Sequence, residues 1–302
     1  MNDRWASCSS MIDSFLKYLE FEKRLSRHTV LAYHTDLQQF SDFLTNTFPD
    51  IKSETADYGI VRSWVISLVE SGIDPLSVNR KIACLRSYYK FLLRQEIIHK
   101  DPMMKIRVLK TKKQLPSFVK ESDMIKILDQ TEFGNNFQDA RDKAILEIFY
   151  GTGIRLSELI SLKENNIDLG SRTIKVIGKR NKERVIPFSA GLISVLNEYK
   201  AHRNKEIERK NHGFFFVTEK GDPCYPKIIY HCVKKYLEKT STERKSPHAL
   251  RHTYATHLLN KGAEINAVKD LLGHTSLAAT QVYTHNSMEK LKKIFEQAHP
   301  KA

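Results

Sequence analysis

Apolar residues in the first third of the chain recur at steps of three and four. Ile12, Phe15, Leu16 and Leu19 form one stripe, and Tyr33, Leu37, Phe40 and Leu44 form another. That period puts each set on one face of an amphipathic helix. Ser26 stands where the second helix needs an N-cap. A third helix is predicted over Tyr58 to Val69, and a fourth from near Ser77 through Ile82, Leu85, Tyr89 and Leu92. Four such helices with short connections predict a small bundle. Beyond residue 120 the helical pattern returns with one interruption. Arg172–Ile177 and Lys182–Pro187 are β-branched runs around Gly178-Lys179-Arg180-Asn181, which predicts a hairpin with a four-residue loop. Phe214 to Val217 reads as a further short strand. The expected fold class is mainly α: a four-helix domain followed by a mixed α/β domain, mostly helical with a small β-sheet.

Composition narrows the classes. The 302 residues are 41% hydrophobic and 10% aromatic, enough for a core in each of two domains and too much for a disordered chain. No run approaches the ~18 apolar residues of a membrane span. No signal peptide is visible after Met1-Asn2-Asp3-Arg4. Cys8, Cys84, Cys224 and Cys232 are too scattered for a disulfide framework or a Cys-x-x-Cys metal site, so a cytoplasmic address is expected.

Charge is the first functional clue. Forty-nine basic against 35 acidic residues give a net charge of +14, spread unevenly. Residues 1–105 are nearly balanced, residues 106–120 carry five basic residues and no acidic one, and residues 121–302 carry 30 basic and 22 acidic. A polyanion fits this excess, and either nucleic acid or an anionic membrane surface would serve. No amphipathic helix with a basic face opposite Trp, Phe or Leu is evident, which argues against the membrane. The 106–120 tract lacks an apolar period and reads as an exposed linker that can lie along a phosphate backbone, with Lys110, Lys112 and Lys113 as candidate contacts. On the fourth helix Arg80, Ser87 and Arg94 stay within about 40° of one line. That stripe is either a DNA-facing surface or an ordinary solvated face.

Candidate chemistry lies downstream. In Ser246-Pro247-His248-Ala249-Leu250-Arg251-His252, Ser246 fits an N-cap and Pro247 the first helical position, while Gly262 closes the helix. Leu250, Tyr254 and Leu258 make the buried stripe, so His248 and Arg251 share another face near the N-terminus, where free N–H groups favour an anion. A guanidinium fork with an imidazole suits phosphate. His248 and His252 also have the spacing of a helical zinc pair, but no Glu lies between them and Arg251 sits beside them, so zinc is disfavoured. Gly151-Thr152-Gly153 breaks a helix ending near Tyr150 and places Arg155 on the first turn of the next. Gly273-His274 caps an apolar helix (Ile265, Val268, Leu271, Leu272), and Tyr283 follows nine residues after His274.

Together, Gly-x-Gly-x-Arg155-x-Ser-Glu-Leu, His248-x-x-Arg251-His252, Leu272-Gly273-His274 and Tyr283-Thr284-His285 resemble the signature of the tyrosine recombinases, the phage-integrase family. Leu25-Ser26-x-x-Thr29-x-x-x-Tyr33 looks like the start of that family's core-binding domain, and the whole chain looks most like the cellular Xer branch. The resemblance implies a SAM-like core DNA-binding domain over 1–105, the basic linker over 106–120, and a catalytic domain over 121–302 ending in a docking helix over 287–302. It implies Tyr283 as nucleophile toward a DNA phosphodiester, giving a 3′-phosphotyrosyl bond and a free 5′-hydroxyl, with type IB topoisomerase-like chemistry. Arg155 and Arg251 would hold the phosphate oxygens, Lys179 would protonate the leaving oxygen, His248 would act as base or phosphate donor, and His274 would hydrogen-bond the phosphate. Neither metal nor cofactor is implied.

The implied partners are double-stranded DNA with paired inverted half-sites and other protomers, four on two DNA sites. A second recombinase or a DNA translocase would be an accessory. The implied role is chromosome-dimer resolution at a dif-like site during cell division, on the nucleoid. The integrase of a mobile element shares every motif, and a non-cleaving DNA-binding protein on the same fold is the reading from another class. Near the end, Met288, Leu291, Ile294 and Phe295 form an apolar face too short to persist in water unaided, so docking is expected, onto a neighbouring protomer as in relatives, with docking onto its own domain as the alternative.

Overall fold

The computed structural model describes residues 11–111, 117–178, 183–208, 210–273 and 294–301. The chain divides into two compact units, Met1–Gln114 and Leu115–Ala302. Among the described residues no helix is long and apolar enough to cross a membrane.

In the first unit α1 (Met11–Lys17) runs into a single π-helical turn (Tyr18–Glu22), followed by α2 (Arg27–Thr47), α3 (Tyr58–Glu70) and α4 (Pro75–Arg94). Ser26 caps α2 as expected, its Oγ accepting from the Thr29 N–H. The fourth helix begins before Ser77 because Asp74 is the better cap. Its Oδ1 accepts from the Leu76 N–H, and Pro75 takes the first helical position, where no N–H is needed. The stripes converge on one core in which Phe15, Leu37, Phe40, Val61, Trp64 and Ile82 are buried. Beneath it lies a buried carboxylate, Asp36, bound by Arg80 Nη1 (2.5 Å) and Lys81 Nζ (2.8 Å).

The basic tract is tied to this unit at its start. Ile106 is buried in the core, and its carbonyl accepts from Arg86 Nη2. The Asn79 amide holds both polar groups of Leu109, donating to its carbonyl at 3.0 Å and accepting from its N–H at 2.7 Å. At the other end Val119 is buried in the core of the second unit, where its N–H donates to Thr253 Oγ1.

The second unit contains α5 (Glu121–Asp129), α6 (Phe137–Thr152), α7 (Leu156–Ile160), β1 (Ile167–Asp168), β2 (Thr173–Ile177), β3 (Glu183–Pro187), α8 (Ala190–Glu206), α9 (Pro226–Leu237), α10 (Pro247–Asn260) and α11 (Ile265–Leu272). Helix α6 is buried nearly all round, including the charged Arg141, Asp142 and Glu147, and contributes Ile145, Leu146, Ile148 and Phe149 to the core. The strands form an antiparallel sheet in chain order, with Thr173 opposite Pro187 and Ile177 opposite Glu183. Strand β2 begins one residue later than expected because Arg172 takes a left-handed backbone (φ 55°), which a strand does not accommodate.

The strand expected over Phe214–Val217 is absent; only isolated bridges at Phe214 and Val217 occur. Scattered backbone bonds, Phe215 N–H to Leu162 O and Cys224 N–H to Phe216 O, are joined by side chains that answer part of the segment's backbone. The Phe215 carbonyl accepts from Tyr199 Oη and Arg203 Nη1, and the Val217 N–H donates to Tyr199 Oη.

The described part of the terminal segment docks on its own unit. Residues 294–298 are helical, and Phe295 and Ala298 are buried against Tyr254, Leu258, Val268 and Leu271. The His299 ring stacks on Phe295 at 4.8 Å, donates from Nε2 to the Tyr150 carbonyl and accepts at Nδ1 from the Lys301 N–H. Burial lowers its pKa to about 4, in keeping with this neutral tautomer. Lys301 Nζ lies 2.6 Å from Glu147 and 2.8 Å from Asp129.

Candidate active site

Three turns and a strand build the site. Helix α6 ends at Gly153, whose left-handed backbone (φ 59°) also faces the Tyr254 ring; a Cβ there would lie 2.4 Å from that ring. The chain re-enters a helix two residues later. Arg155 is the N-cap of α7 rather than a first-turn residue, because Glu158 Oε2 accepts its backbone N–H at 2.8 Å and holds it extended. The α7 carboxylate, Glu158, is buried. It also accepts from Arg155 Nη1 at 2.7 Å and from both Nη atoms of Arg184 at 2.6 and 2.8 Å. Burial alone would raise its pKa, but the Arg184 fork and the Arg155 N–H bring it down to about 2.

Helix α11 closes the site from the other side. Its last carbonyls point at three different guanidiniums. Leu271 O accepts from Arg184 Nε at 3.1 Å, Leu272 O from Arg251 Nη2 at 2.5 Å, and Gly273 O from Arg155 Nη2 at 2.9 Å. A helix C-terminus carries partial negative charge, so cations belong there. Arg251 also donates from Nη1 to Gly153 O, tying α10 to the end of α6. Gly273 is left-handed (φ 62°), and a Cβ on it would lie 3.0 Å from Arg184 Cδ. The left-handed backbone and the close approach of Arg184 together favour glycine there.

Three guanidiniums against one carboxylate leave a positive excess. Its effect falls on Arg251. Burial, followed by the charges of Arg155 and Arg184, lowers its pKa to about 9. Such an excess of positive charge favours an anion. Each Nη that donates one hydrogen to a carbonyl keeps a second, so Arg155 and Arg251 can bind an oxyanion without releasing the backbone.

His248 and Arg251, expected on a common face, differ in exposure: His248 is open to solvent and Arg251 is buried. Ser246 holds the N-cap position of α10, although its side chain makes no capping bond. His252 is also exposed, and partial burial with the neighbouring His248 and Arg251 lowers its pKa. Lys179, His274 and Tyr283 lie outside the described residues, as do Lys112 and Lys113. Ile177 and Glu183 mark where the Lys179 loop leaves the sheet, and Gly273 immediately precedes His274. In the first unit the Arg80 guanidinium serves Asp36 while remaining half exposed. Arg94 is exposed beside the Tyr18 ring and donates to its hydroxyl at 3.2 Å, and Lys110 is exposed.

Arg184 is the residue that sequence reading missed. Its signal was alternation: in β3 Arg184 and Ile186 share the inward face, and an arginine on an inward position requires a buried partner. Among the described residues no group of three or more His, Cys, Asp or Glu side chains is placed to hold a metal ion.

A family model described as the phage integrase family matches residues 117–290, and one described as the phage integrase N-terminal SAM-like domain matches residues 12–96. The tyrosine recombinase XerC of Chlorobaculum tepidum is 35% identical over 327 aligned positions, covering 100% of this chain and 96% of the relative. That of Oceanobacillus iheyensis is 38% identical over 296 positions, covering 96% of each. Two solved structures share the fold. The Tn1549 transposon integrase in complex with transposon right-end DNA has a TM-score of 0.71 at 18% identity, covering 94% of this chain and 99% of that one. The XerH site-specific recombinase bound to palindromic difH substrate has a TM-score of 0.71 at 21% identity, covering 95% and 84%.

Proposed function

This chain belongs to the phage integrase family of tyrosine recombinases, and from that premise we propose how its residues cut and rejoin DNA. The carrying observation is the pair Arg155 and Arg251, fixed by the carbonyls of Gly153, Leu272 and Gly273 with N–H hydrogens to spare. They bind the non-bridging oxygens of one phosphodiester and neutralise the charge of the pentacoordinate transition state. The Tyr283 oxygen attacks phosphorus while the bond to the 5′-oxygen breaks. His248 takes the phenolic proton, Lys179 gives one to the leaving oxygen, and His274 hydrogen-bonds the phosphate. The 3′-phosphotyrosyl ester keeps the bond energy, so the reverse attack by a 5′-hydroxyl rejoins a strand without ATP.

The substrate in this reading is double-stranded DNA with paired inverted half-sites, bound by several protomers, four across two sites. Relatives named XerC that match the full chain favour a chromosomal role, the resolution of dimers at a dif-like site during cell division, in the cytoplasm on the nucleoid. A second recombinase or a translocase would assist there. A nicked suicide substrate tests the chemistry: the protein should become covalently attached to a DNA 3′ end, and a chelator should leave the reaction intact. Absence of a covalent band on a denaturing gel would reject the reading. Mapping the junction on genomic DNA then separates a single chromosomal site from the ends of a mobile element.

Grip on DNA is assigned in part to the basic tract. Changing Lys110, Lys112 and Lys113 to Ala should weaken all sequences together and lower the slope of log affinity against log salt by roughly 0.9 per lost phosphate contact. An unchanged slope would make the tract a spacer only.

The terminal segment links protomers in this reading. The seat it fills on its own unit is, by symmetry, present on every copy, so the same segment can be exchanged between neighbours. Deleting residues 288–302 should leave binding to one half-site, lower the melting temperature by uncovering Tyr254 and Leu258, and remove cooperative full-site binding and strand exchange. Gel-shift titration alongside thermal melts decides it, and undiminished cooperativity rules out exchange.

A further inference from the structure

We propose that Arg184 is a positioning residue for strand cleavage: it holds Glu158 and the end of α11 so that the Arg155 guanidinium is left free to serve the phosphate. The proposal rests on the phosphate-binding role given to Arg155 above.

Arg184 is buried, and all three nitrogens of its guanidinium donate to the protein itself. Both Nη atoms face the Glu158 carboxylate, and Nε donates to Leu271 O. Its fork is thereby turned toward Glu158 and the end of α11. Its effect passes through two neighbours. Glu158 is needed to fix Arg155, whose backbone N–H and Nη1 both donate to it. A carboxylate 2.7 Å from that guanidinium would by itself cancel the charge that the phosphate requires. Arg184 supplies the opposing charge, bidentate and dry, so Glu158 can orient Arg155 without neutralising it. The second neighbour is the α11 terminus. Arg184 packs against Gly273 and binds Leu271 O, one turn before His274. Strand β3 is thereby joined to the two segments that carry Arg155 and precede His274.

Charge balance gives a test that simple loss of packing would not reproduce. Arg184→Met leaves Glu158 to neutralise Arg155, so adduct formation at saturating half-site DNA should fall about a hundredfold, the loss typical of one misplaced transition-state donor. Half-site affinity should stay close to that of the parent. Adding Glu158→Gln removes the uncompensated charge, and the double variant should recover to within about tenfold of the parent. Arg184→Lys, which keeps the charge but cannot bridge Glu158 and Leu271, should fall between the two.

Wild-type cleavage by Arg184→Met, or a double variant no better than the single, would overturn the proposal. So would rescue of Arg184→Met by a substrate with a 5′-thiol leaving group, since Arg184 would then be delivering a proton itself. Should Arg184→Met fail to fold, the double variant decides: folded and cleaving supports the proposal, folded and inert rejects it. Tyr283→Phe is run alongside. An adduct that persists there indicts the assigned chemistry rather than the role of Arg184.

Discussion

Changing Tyr283 to Phe should leave half-site binding intact and reduce covalent attachment by roughly 10⁴-fold or more, as removal of a nucleophile does in other covalent catalysts. The expected size follows from the scheme. In the proposed scheme every strand passes through the Tyr283 phenolic oxygen, which alone forms the ester that preserves the bond for rejoining. Phe keeps the ring and its packing while deleting only that oxygen. On a nicked suicide substrate the slow-migrating band should vanish, and gel shift under native conditions should be unchanged. A band that survives in Tyr283→Phe would move the nucleophile to another residue. Loss of native binding as well would mean that the ring itself holds the structure.

The second large effect separates proton transfer from charge stabilisation. Lys179→Ala should slow cleavage of ordinary DNA by ~10²–10⁴-fold, the usual range for a missing general acid. A substrate whose 5′-leaving atom is sulfur departs without a proton, so on it Lys179→Ala should approach the parent rate. Arg155→Ala should lose about 10²–10³-fold on both substrates, because charge still develops on the phosphate oxygens. Rescue of both variants or of neither would refute the division of labour. The structure supplies the reason to expect the loss at Arg155. Arg155 is locked by Glu158 and the Gly273 carbonyl, as a group that stabilises charge in a fixed place should be.

Local rules were legible where a single local interaction decides the outcome. The α2 cap at Ser26, the cap at Gly273, and the buried stripe Leu250, Tyr254 and Leu258 were all written in short sequence patterns, whereas α6 runs two residues past Tyr150 to stop at Gly153. Competing local signals moved boundaries. Asp74-Pro75 outranked Ser77 as the start of α4, and Glu158 turned Arg155 from a first-turn residue into an N-cap.

What the sequence concealed were partners distant along the chain. Arg80 was read as one member of a basic stripe, yet its guanidinium meets Asp36, 44 positions away. Phe214–Val217 carried strand composition, but hydroxyl and guanidinium groups from α8 took some of its hydrogen bonds. Arg184 stood in a run that looked like an ordinary hairpin arm. Only tertiary packing brings it to Glu158 and to the end of α11.

The Asn79 clamp on Leu109 has a consequence for how the protein meets a long polymer. With Leu109 held on one side and Phe118, whose carbonyl accepts from Thr242, on the other, eight positions, 110–117, separate the two anchored points. A chain of that length spans at most about 30 Å, at ~3.3–3.6 Å per residue. Once either unit is on a duplex, the other searches for its own contact at an effective concentration on the order of millimolar. The chain then behaves as a chelating ligand: a brief release of one unit is followed by recapture before the other lets go. Doubling the tether would dilute that local concentration about threefold, by the −3/2 power of length. The clamp is thus a setting on residence time, fixed by one amide side chain far from any bond that is made or broken.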